Sequence, residues 1–591
     1  MKTKQKNWTE RVRTVVKLQC LLLAIGTSGI AAPALAASGK VLPSVGANLG
    51  AKAAIKKCAD LASIDLTDIG GAGSKITSTK EINNEGNQFC EAEGTLAPSI
   101  GFKVLLPVAS WTQRYLQVGC GGLCGRIELE VGAADGCVPV SAGGFVIAST
   151  DMGHQGMAPD FGRDPQKRVD FAYRGVHLTA LASKKLIKAF YGQAESYSYF
   201  TGCSDGGREA IMEAQRYPND FNGIVAGAPA MLFQFQNSLH HGWLASSNTG
   251  PDGKPVVTAS RLPLLHKAVV AACDGLDGQI DGLLSDPRLC HFDPKTIQCA
   301  ADSKDASACL APPEVATISK FYEGPRDPAT GEHLTVGDTQ YGSELAWAGV
   351  FVPESADKPI FSTIIAMGAL QNLIFEQDPP RNYALVDLKF EKATVELLKA
   401  RHPLFDATNP DLKAFQSAGG KLILWHGWAD QHISPLTTVA YHEAIMKQMG
   451  KEEAAKFQRL YLLPGVYHCG KGEGPSSMDL LTPMINWVES GKAPEEIITQ
   501  TPQDKGSNFG QPTAEKPGQK QEAPTKEQVK QEATGSKVSR PVYPYPAVAK
   551  YAGSGDRNDA ANYVKGEPLY LEPTPAWAGQ DFFKPYAPDT K

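Results

Sequence analysis

Short apolar runs alternate with helical patterns over the first part of the chain. Phe102 to Leu106, Arg114 to Val118 and Gly144 to Ser149 read as strands, since each is a brief run rich in β-branched or aromatic residues between turn formers. Leu178 to Tyr191 places its apolar residues at helical spacing. Ser196 to Phe200 alternates serine with aromatics and predicts another strand, Arg208 to Tyr217 the helix after it, and Ile224-Val225-Ala226 the next strand. Strand–helix alternation of this kind predicts a mainly parallel sheet covered on both faces. From Met231 to Ala414 the rhythm breaks, and cysteines, Asp-Gly pairs, prolines and tryptophans become frequent. This segment, 231–414, reads as a domain inserted into the first. The alternation then resumes with strands at Lys421 to Trp425 and Arg459 to Leu463, and a helix from Pro435 to Met449 between them. The core is therefore expected in two parts, 37–230 and 415–502. Residues 503–540 are rich in Lys, Glu, Gln, Pro and Gly with almost no large apolar residue, so they cannot bury enough surface to order themselves and read as a flexible insertion. Residues 541–591 turn aromatic again and are expected to dock on the core.

The 591 residues carry 58 basic and 63 acidic side chains, a formal net charge of -5, which leaves no electrostatic footprint for nucleic acid or an anionic membrane. Lys2, Lys4, Lys6, Arg11, Arg13 and Lys17 precede an apolar or small-residue run from Leu21 to Ala36 that ends in Ala34-Leu35-Ala36. That is the layout of a cleaved secretory signal over 1–36, and it predicts a secreted or periplasmic protein with no membrane attachment after cleavage. Twelve cysteines are present. If Cys20 leaves with the signal, an odd number remains, and at least one thiol stays free. Local spacing favours Cys58–Cys90, Cys273–Cys290 and Cys299–Cys309. Cys120, Cys124 and Cys137 are left over, and at most two of them can pair.

Gly202-Cys203-Ser204-Asp205-Gly206 has the G-x-S-x-G form of a nucleophile elbow, a sharp strand-to-helix turn that exposes the serine hydroxyl. A serine hydroxyl needs an imidazole to take its proton and a carboxylate to orient that imidazole. The α/β-hydrolase fold supplies these in the order Ser, Asp, His after successive strands. Ser204, Asp430 and His468 stand in that order and in those settings. Cys203 and Cys469 adjoin the presumed nucleophile and base, so a Cys203–Cys469 disulfide would tie the two together. An oxyanion hole needs backbone N–H groups, expected here from Asp205, which follows the nucleophile, and from Gly121 or Gly122 in the glycine-rich stretch after an early strand. His426 either faces the pocket or supports it from behind. His154 reads as structural, and the adjacent His240 and His241 lack the spacing of zinc ligands. Trp347, Phe351, Phe361 and Phe375 are candidates for an apolar wall against an aryl group, or else for the core of the inserted domain. Within that domain, Asp274-Gly275-Leu276-Asp277-Gly278-Gln279-Ile280-Asp281-Gly282-Leu283 crowds three carboxylates among glycines, which suits either a hard cation or an ordinary run of Asp-Gly turns. From Leu334 to Pro380 there is no arginine and Lys358 is the single basic residue, which disfavours substrates that need a bidentate clamp on a free carboxylate.

Gly202 to Arg208, His426 to Asp430, His468-Cys469, Ala214-Gln215-Arg216-Tyr217-Pro218 and Asp170-Phe171-Ala172-Tyr173-Arg174 together resemble the tannase and feruloyl esterase family. The resemblance implies an α/β-hydrolase core with a lid domain and hydrolysis of small-molecule aromatic-acid esters, feruloyl or galloyl. It also implies a structural calcium in the lid, with carboxylates from Asp274, Asp277 and Asp281 and backbone carbonyls from Gln279 and Leu283. The chain departs from the family near its C-terminus, where Tyr543 and Lys565 stand in place of a cysteine pair. Amide hydrolysis on the same triad, or a non-catalytic binding protein on a hydrolase scaffold, are the alternatives, and the intact triad argues against the second.

Overall fold

A computed structural model describes residues 45–588, apart from 85, 304, 306 and 503–536. The signal segment and nearly all of the low-complexity insertion lie outside the described residues. A nine-stranded sheet is built from β1 (Lys75–Asn84), β2 (Asn87–Leu96), β3 (Ile100–Pro107), β4 (Arg114–Val118), β5 (Phe145–Thr150), β6 (Tyr197–Cys203), β7 (Gly223–Gly227), β8 (Lys421–Gly427) and β9 (Gln458–Leu463). Its order is β1-β2-β3-β5-β4-β6-β7-β8-β9. The first three strands and β5 pair antiparallel; the six from β5 to β9 run parallel. Every residue of β4 and β7 is buried; β7 reads as a continuous apolar run, while in β4 the buried Arg114 and Gln117 are held by Glu489 and the Val176 carbonyl. The β1–β2 hairpin left no clear mark in the sequence. Lys75-Ile76-Thr77-Ser78-Thr79-Lys80-Glu81 is mostly solvent-facing edge strand, and an edge of that kind shows little apolar alternation.

Seven longer helices follow: α1 (Gly175–Tyr191), α2 (Asp205–Arg216), α3 (Leu262–Cys273), α4 (Pro312–Glu323), α5 (Phe361–Asn372), α6 (Pro435–Met449) and α7 (Leu481–Ser490). Leu186 and Ile187 of α1, Ile211 of α2 and Val439 and Tyr441 of α6 pack on one face of the sheet. Leu481, Met484, Ile485 and Trp487 of α7 pack on the other, against Leu116, Tyr199, Val225 and Ile423. The sheet is thus covered on both faces, and the α/β-hydrolase expectation is met.

The 231–414 segment has an apolar core of its own, in which Leu265 and Val269 of α3 meet Ile318 and Phe321 of α4, Trp347 and Phe351. Its helix α5 instead turns Ile365 and Ala369 into the main core. Past the insertion, β12 (Ser539–Val542) pairs with β11 (Ile497–Gln500), which in turn pairs with β10 (Ser477–Met478). Ser539 and Arg540 were expected inside the flexible insertion, but they belong to a strand because their backbone completes the ladder of β11. No helix among the described residues is long and apolar enough to cross a membrane.

Candidate active site

The chemistry is expected at the ends of three parallel strands, β6, β8 and β9, of which β8 and β9 are neighbours and β6 is separated from them by β7. Ser204 follows β6, with φ 64° and ψ -120°, a conformation that a non-glycine residue adopts only where its surroundings force it. Its N–H donates to the Gly227 carbonyl at 3.0 Å, and its own carbonyl accepts from Arg208 and Ala230 at 3.1 and 2.9 Å. The elbow glycines are required by contact: a Cβ on Gly202 would lie 2.5 Å from the Gly206 carbonyl, and one on Gly206 would lie 2.9 Å from the Gly119 carbonyl carbon. Ser204 is half-exposed, while Asp430 and His468 are buried.

Asp430 lies just past β8 and His468 just past β9. His468 Nδ1 donates to Asp430 Oδ2 at 2.7 Å, and Asp430 Oδ1 accepts from the His432 and Ile433 amides at 2.8 and 2.9 Å. Burial alone would raise the Asp430 carboxyl. The charge of His468 and the hydrogen bonds from His426 and His468 outweigh it and hold the group well below the usual carboxylate range. An ionised aspartate here fixes the imidazole with Nδ1 protonated, which leaves Nε2 able to take a proton. The Cys203–Cys469 disulfide joins the neighbours of the candidate nucleophile and base.

His426 does not face a pocket. It is fully buried, its Nδ1 accepts from Thr438 Oγ1 at 2.7 Å, and its Nε2 lies 3.0 Å from Asp430 Oδ2 and 3.1 Å from the Ile433 carbonyl. Two histidines therefore share one carboxylate, so the assignment of His426 to substrate is corrected to support of Asp430. Trp347 is corrected as well. It is fully buried against Phe321, Tyr322 and Phe351, with its indole N–H donating to Ser343 Oγ at 2.9 Å, because the lid needs a large apolar residue at its centre. Of the four aromatic candidates, Phe361 is the one against the site: its ring is 4.8 Å from His432, which in turn lies 4.9 Å from His468.

His241 completes this wall. It packs on Phe361, and its Nδ1 lies 2.9 Å from Ser362 Oγ. Burial, and then the neighbouring histidines, push its pKa well below that of a free imidazole, so His241 is neutral. In sequence, His240 and His241 show only that they lack the spacing of metal ligands. Their position at the start of the lid was the available signal, but nothing local tied them to His468.

Asp205 opens α2, so its N–H has no intrahelical partner. The N–H groups of Gly121 and Gly122 likewise meet no backbone acceptor among the described residues. The loop that carries them lies against the elbow, since a Cβ on Gly119 would come within 2.6 Å of Gly206 Cα. Cys120 pairs with Cys124, and the three pairs favoured by spacing are also formed. Cys137 is the free cysteine among the described residues, and burial pushes its thiol up to about 11, which keeps it unreactive.

The Asp-Gly loop follows α3, within the span closed by Cys273–Cys290. Asp274 Oδ1 accepts from the Asp281 and Gly282 amides, Asp277 from Gln279 and Ser285, and Asp281 from Leu283. Arg540 of β12 pairs with Asp281 at 3.3 Å. Burial raises the Asp277 carboxyl, and the charge of Asp281 adds to the shift.

Comparison with known proteins identifies the family of the chain. The model of the tannase and feruloyl esterase family matches residues 83–565. An uncharacterized esterase of Xanthomonas campestris pv. campestris is 30% identical over 91% of this chain and 96% of its own length. The mono(2-hydroxyethyl) terephthalate hydrolase of Piscinibacter sakaiensis is 31% identical over 81% of this chain and 85% of its own. Among solved structures, feruloyl esterase B from Aspergillus oryzae superposes with a TM-score of 0.70 at 24% identity, over 86% of this chain and all of that one, a likeness of fold.

Proposed function

The chain belongs to the tannase and feruloyl esterase family and is a carboxylic ester hydrolase; we propose that it is an exported serine esterase that cleaves neutral aromatic-acid esters through an acyl-enzyme. The observation that carries this reading is the 2.7 Å His468–Asp430 hydrogen bond beside a strained Ser204. His468 Nε2 takes the Ser204 proton as Oγ bonds to the ester carbonyl carbon. The resulting oxyanion is met by the amides of Asp205 and of Gly121 or Gly122. The C–O bond to the alcohol then breaks, with His468 returning the proton to the leaving oxygen. Water, deprotonated by His468, releases the acid by the same two steps.

The wall of Phe361, His432 and neutral His241 bears on the acyl group. It offers ring contact and, at His241, an uncharged imidazole, which suits a phenolic acyl group better than one bearing a free carboxylate. A panel of methyl ferulate, methyl gallate and a phthalate monoester tests this. Methyl ferulate or methyl gallate is expected to be turned over at least about tenfold more efficiently than the monoester, since a lost or added polar contact is worth about 1–3 kcal/mol. Preference for the monoester would overturn the neutral-acyl reading. Five disulfides among the described residues support export to an oxidising compartment.

We also propose a structural calcium in the lid. Three carboxylates and two backbone carbonyls, from Asp274, Asp277, Asp281, Gln279 and Leu283, are the oxygen donors a hard cation takes. Bound there, the ion would brace the loop and take no part in the chemistry. Chelation is expected to lower the Tm by several degrees and to raise KM through the lid, with added calcium restoring both and Asp277→Ala reproducing the effect. Metal-free purified enzyme whose Tm and KM ignore chelator would return the loop to a set of Asp-Gly turns.

A further inference from the structure

The glycine-rich stretch after β4 is closed on itself. Cys120 and Cys124 bond across Gly121, Gly122 and Leu123, with their Cα atoms 5.3 Å apart. The turn inside this ring is tight, with Cys124 N–H donating to the Gly121 carbonyl at 3.0 Å and with Gly122 and Cys124 both at positive φ. Two further backbone bonds anchor its exit, from Gly125 N–H to Asp151 and from Gly156 N–H to Gly125.

The ring is seated on Glu209 of α2. Glu209 Oε1 accepts from the Cys120 N–H at 3.3 Å and touches both sulfurs, at 2.8 Å for Cys120 and 3.3 Å for Cys124. Asp205 Oδ2 lies 3.4 Å from the Cys124 sulfur. Asp205 is itself held by Arg208, at 2.7 and 2.9 Å, and Arg208 is fixed by the Phe171 and Ala172 carbonyls and by the Phe171 ring. All three side chains are fully or almost fully buried. Glu209 and Asp205 stand one helical turn apart on the same face of α2. One turn of helix therefore carries the Asp205 amide and also supports the loop that carries the Gly121 and Gly122 amides.

We propose that the Cys120–Cys124 disulfide and Glu209 form a positioning unit for the oxyanion hole, a closed ring that fixes the Gly121 and Gly122 amides on the helix turn that supplies the Asp205 amide. The inference rests on the serine acyl-transfer reading. The chemistry of the seat agrees with it. Burial, and then the charge of Asp205, push the Glu209 carboxyl well above the ordinary range, so it is a neutral acid. A neutral carboxyl tolerates two sulfurs at contact distance and sets no negative charge beside a developing oxyanion, whereas an ionised one would oppose it. A five-residue ring also leaves the loop few alternative conformations, so the hole is formed before substrate arrives.

The test compares Cys120→Ala/Cys124→Ala, Glu209→Ala and Glu209→Gln with wild type, using kcat and KM on an aryl ester and the rate at which an aryl phosphonate labels Ser204. The phosphonate places an oxygen where the oxyanion forms. The double cysteine variant and Glu209→Ala are each expected to lose about 10–30-fold in kcat and in labelling rate with KM within about threefold, part of the roughly 100–1000-fold that full removal of one oxyanion donor costs. Glu209→Gln, which keeps the shape and neutrality of the seat, is expected to restore most of that loss. It also carries the test if the cysteine variant fails to fold. Folded variants with wild-type kcat and labelling, a loss confined to KM, or a Glu209→Ala loss that Glu209→Gln does not restore would each overturn the proposal. If wild-type enzyme itself is not labelled at Ser204, it is the serine reading that falls.

Discussion

Ser204→Ala is expected to abolish turnover, with a fall in kcat on the order of 10⁵–10⁶-fold and an unchanged melting temperature. The substitution removes one half-exposed hydroxyl and nothing that packs. The elbow stays in place because it is set by backbone contacts, from Ser204 N–H to Gly227 and from Ala230 N–H to Ser204, together with the close approach of Gly202 to Gly206. His468 remains bonded to Asp430, whose pKa is held down by that imidazole and by His426 rather than by the serine. Substrate binding should therefore persist, so equilibrium binding of a slow ester to Ser204→Ala would match the wild-type affinity. Activity within tenfold of wild type in rigorously purified Ser204→Ala would rule out the mechanism above.

Removal of the Cys203–Cys469 bridge is expected to have the next largest effect. Its two cysteines are 266 residues apart in sequence and adjoin Ser204 and His468. In the loop-entropy model a cross-link over such a span stabilises the fold by roughly 5 kcal/mol, and measured values are often smaller. The chain has other sources of stability: a nine-stranded sheet covered on both faces and four further disulfides. Cys203→Ala/Cys469→Ala should therefore fold, with a lower melting temperature. Catalysis is less tolerant, because a misplacement of about 1 Å between nucleophile and base costs on the order of 100-fold. The expectation is a kcat loss of that size in protein with a native circular dichroism spectrum. Mass mapping that found both thiols free in fully active enzyme would remove the bridge from the argument.

Much of the fold was legible because its signals are local. The parallel strands after β4 are short and largely buried, and each shows locally as an apolar run or, before the elbow, as serine alternating with aromatics. The β1–β2 hairpin was not legible, since Lys75 to Glu81 lies at an exposed edge and pays no penalty for being polar on both sides. The end of the low-complexity insertion was misjudged for a related reason. Ser539 and Arg540 become a strand only because β11 offers them a partner, and Arg540 is further held by Asp281 in the lid.

The sequence by itself determined the elbow, the order Ser204, Asp430, His468, and the cysteines beside the first and last of these, because turn chemistry and strand ends are written in a few adjacent residues. Once Cys20 leaves with the signal, the odd cysteine count also required at least one free thiol. Only the tertiary structure decided what surrounds these residues. It put His426 behind Asp430 rather than in a pocket, and it put Trp347 in the core of the lid while bringing Phe361, His241 and His432 to His468. It paired Cys120 with Cys124 on top of Glu209, leaving Cys137 as the free cysteine among the described residues. Each of these outcomes depends on which distant element closes over a side chain, and burial of that kind is settled when β8, β9 and the lid pack together, not by the residues next to it in the chain.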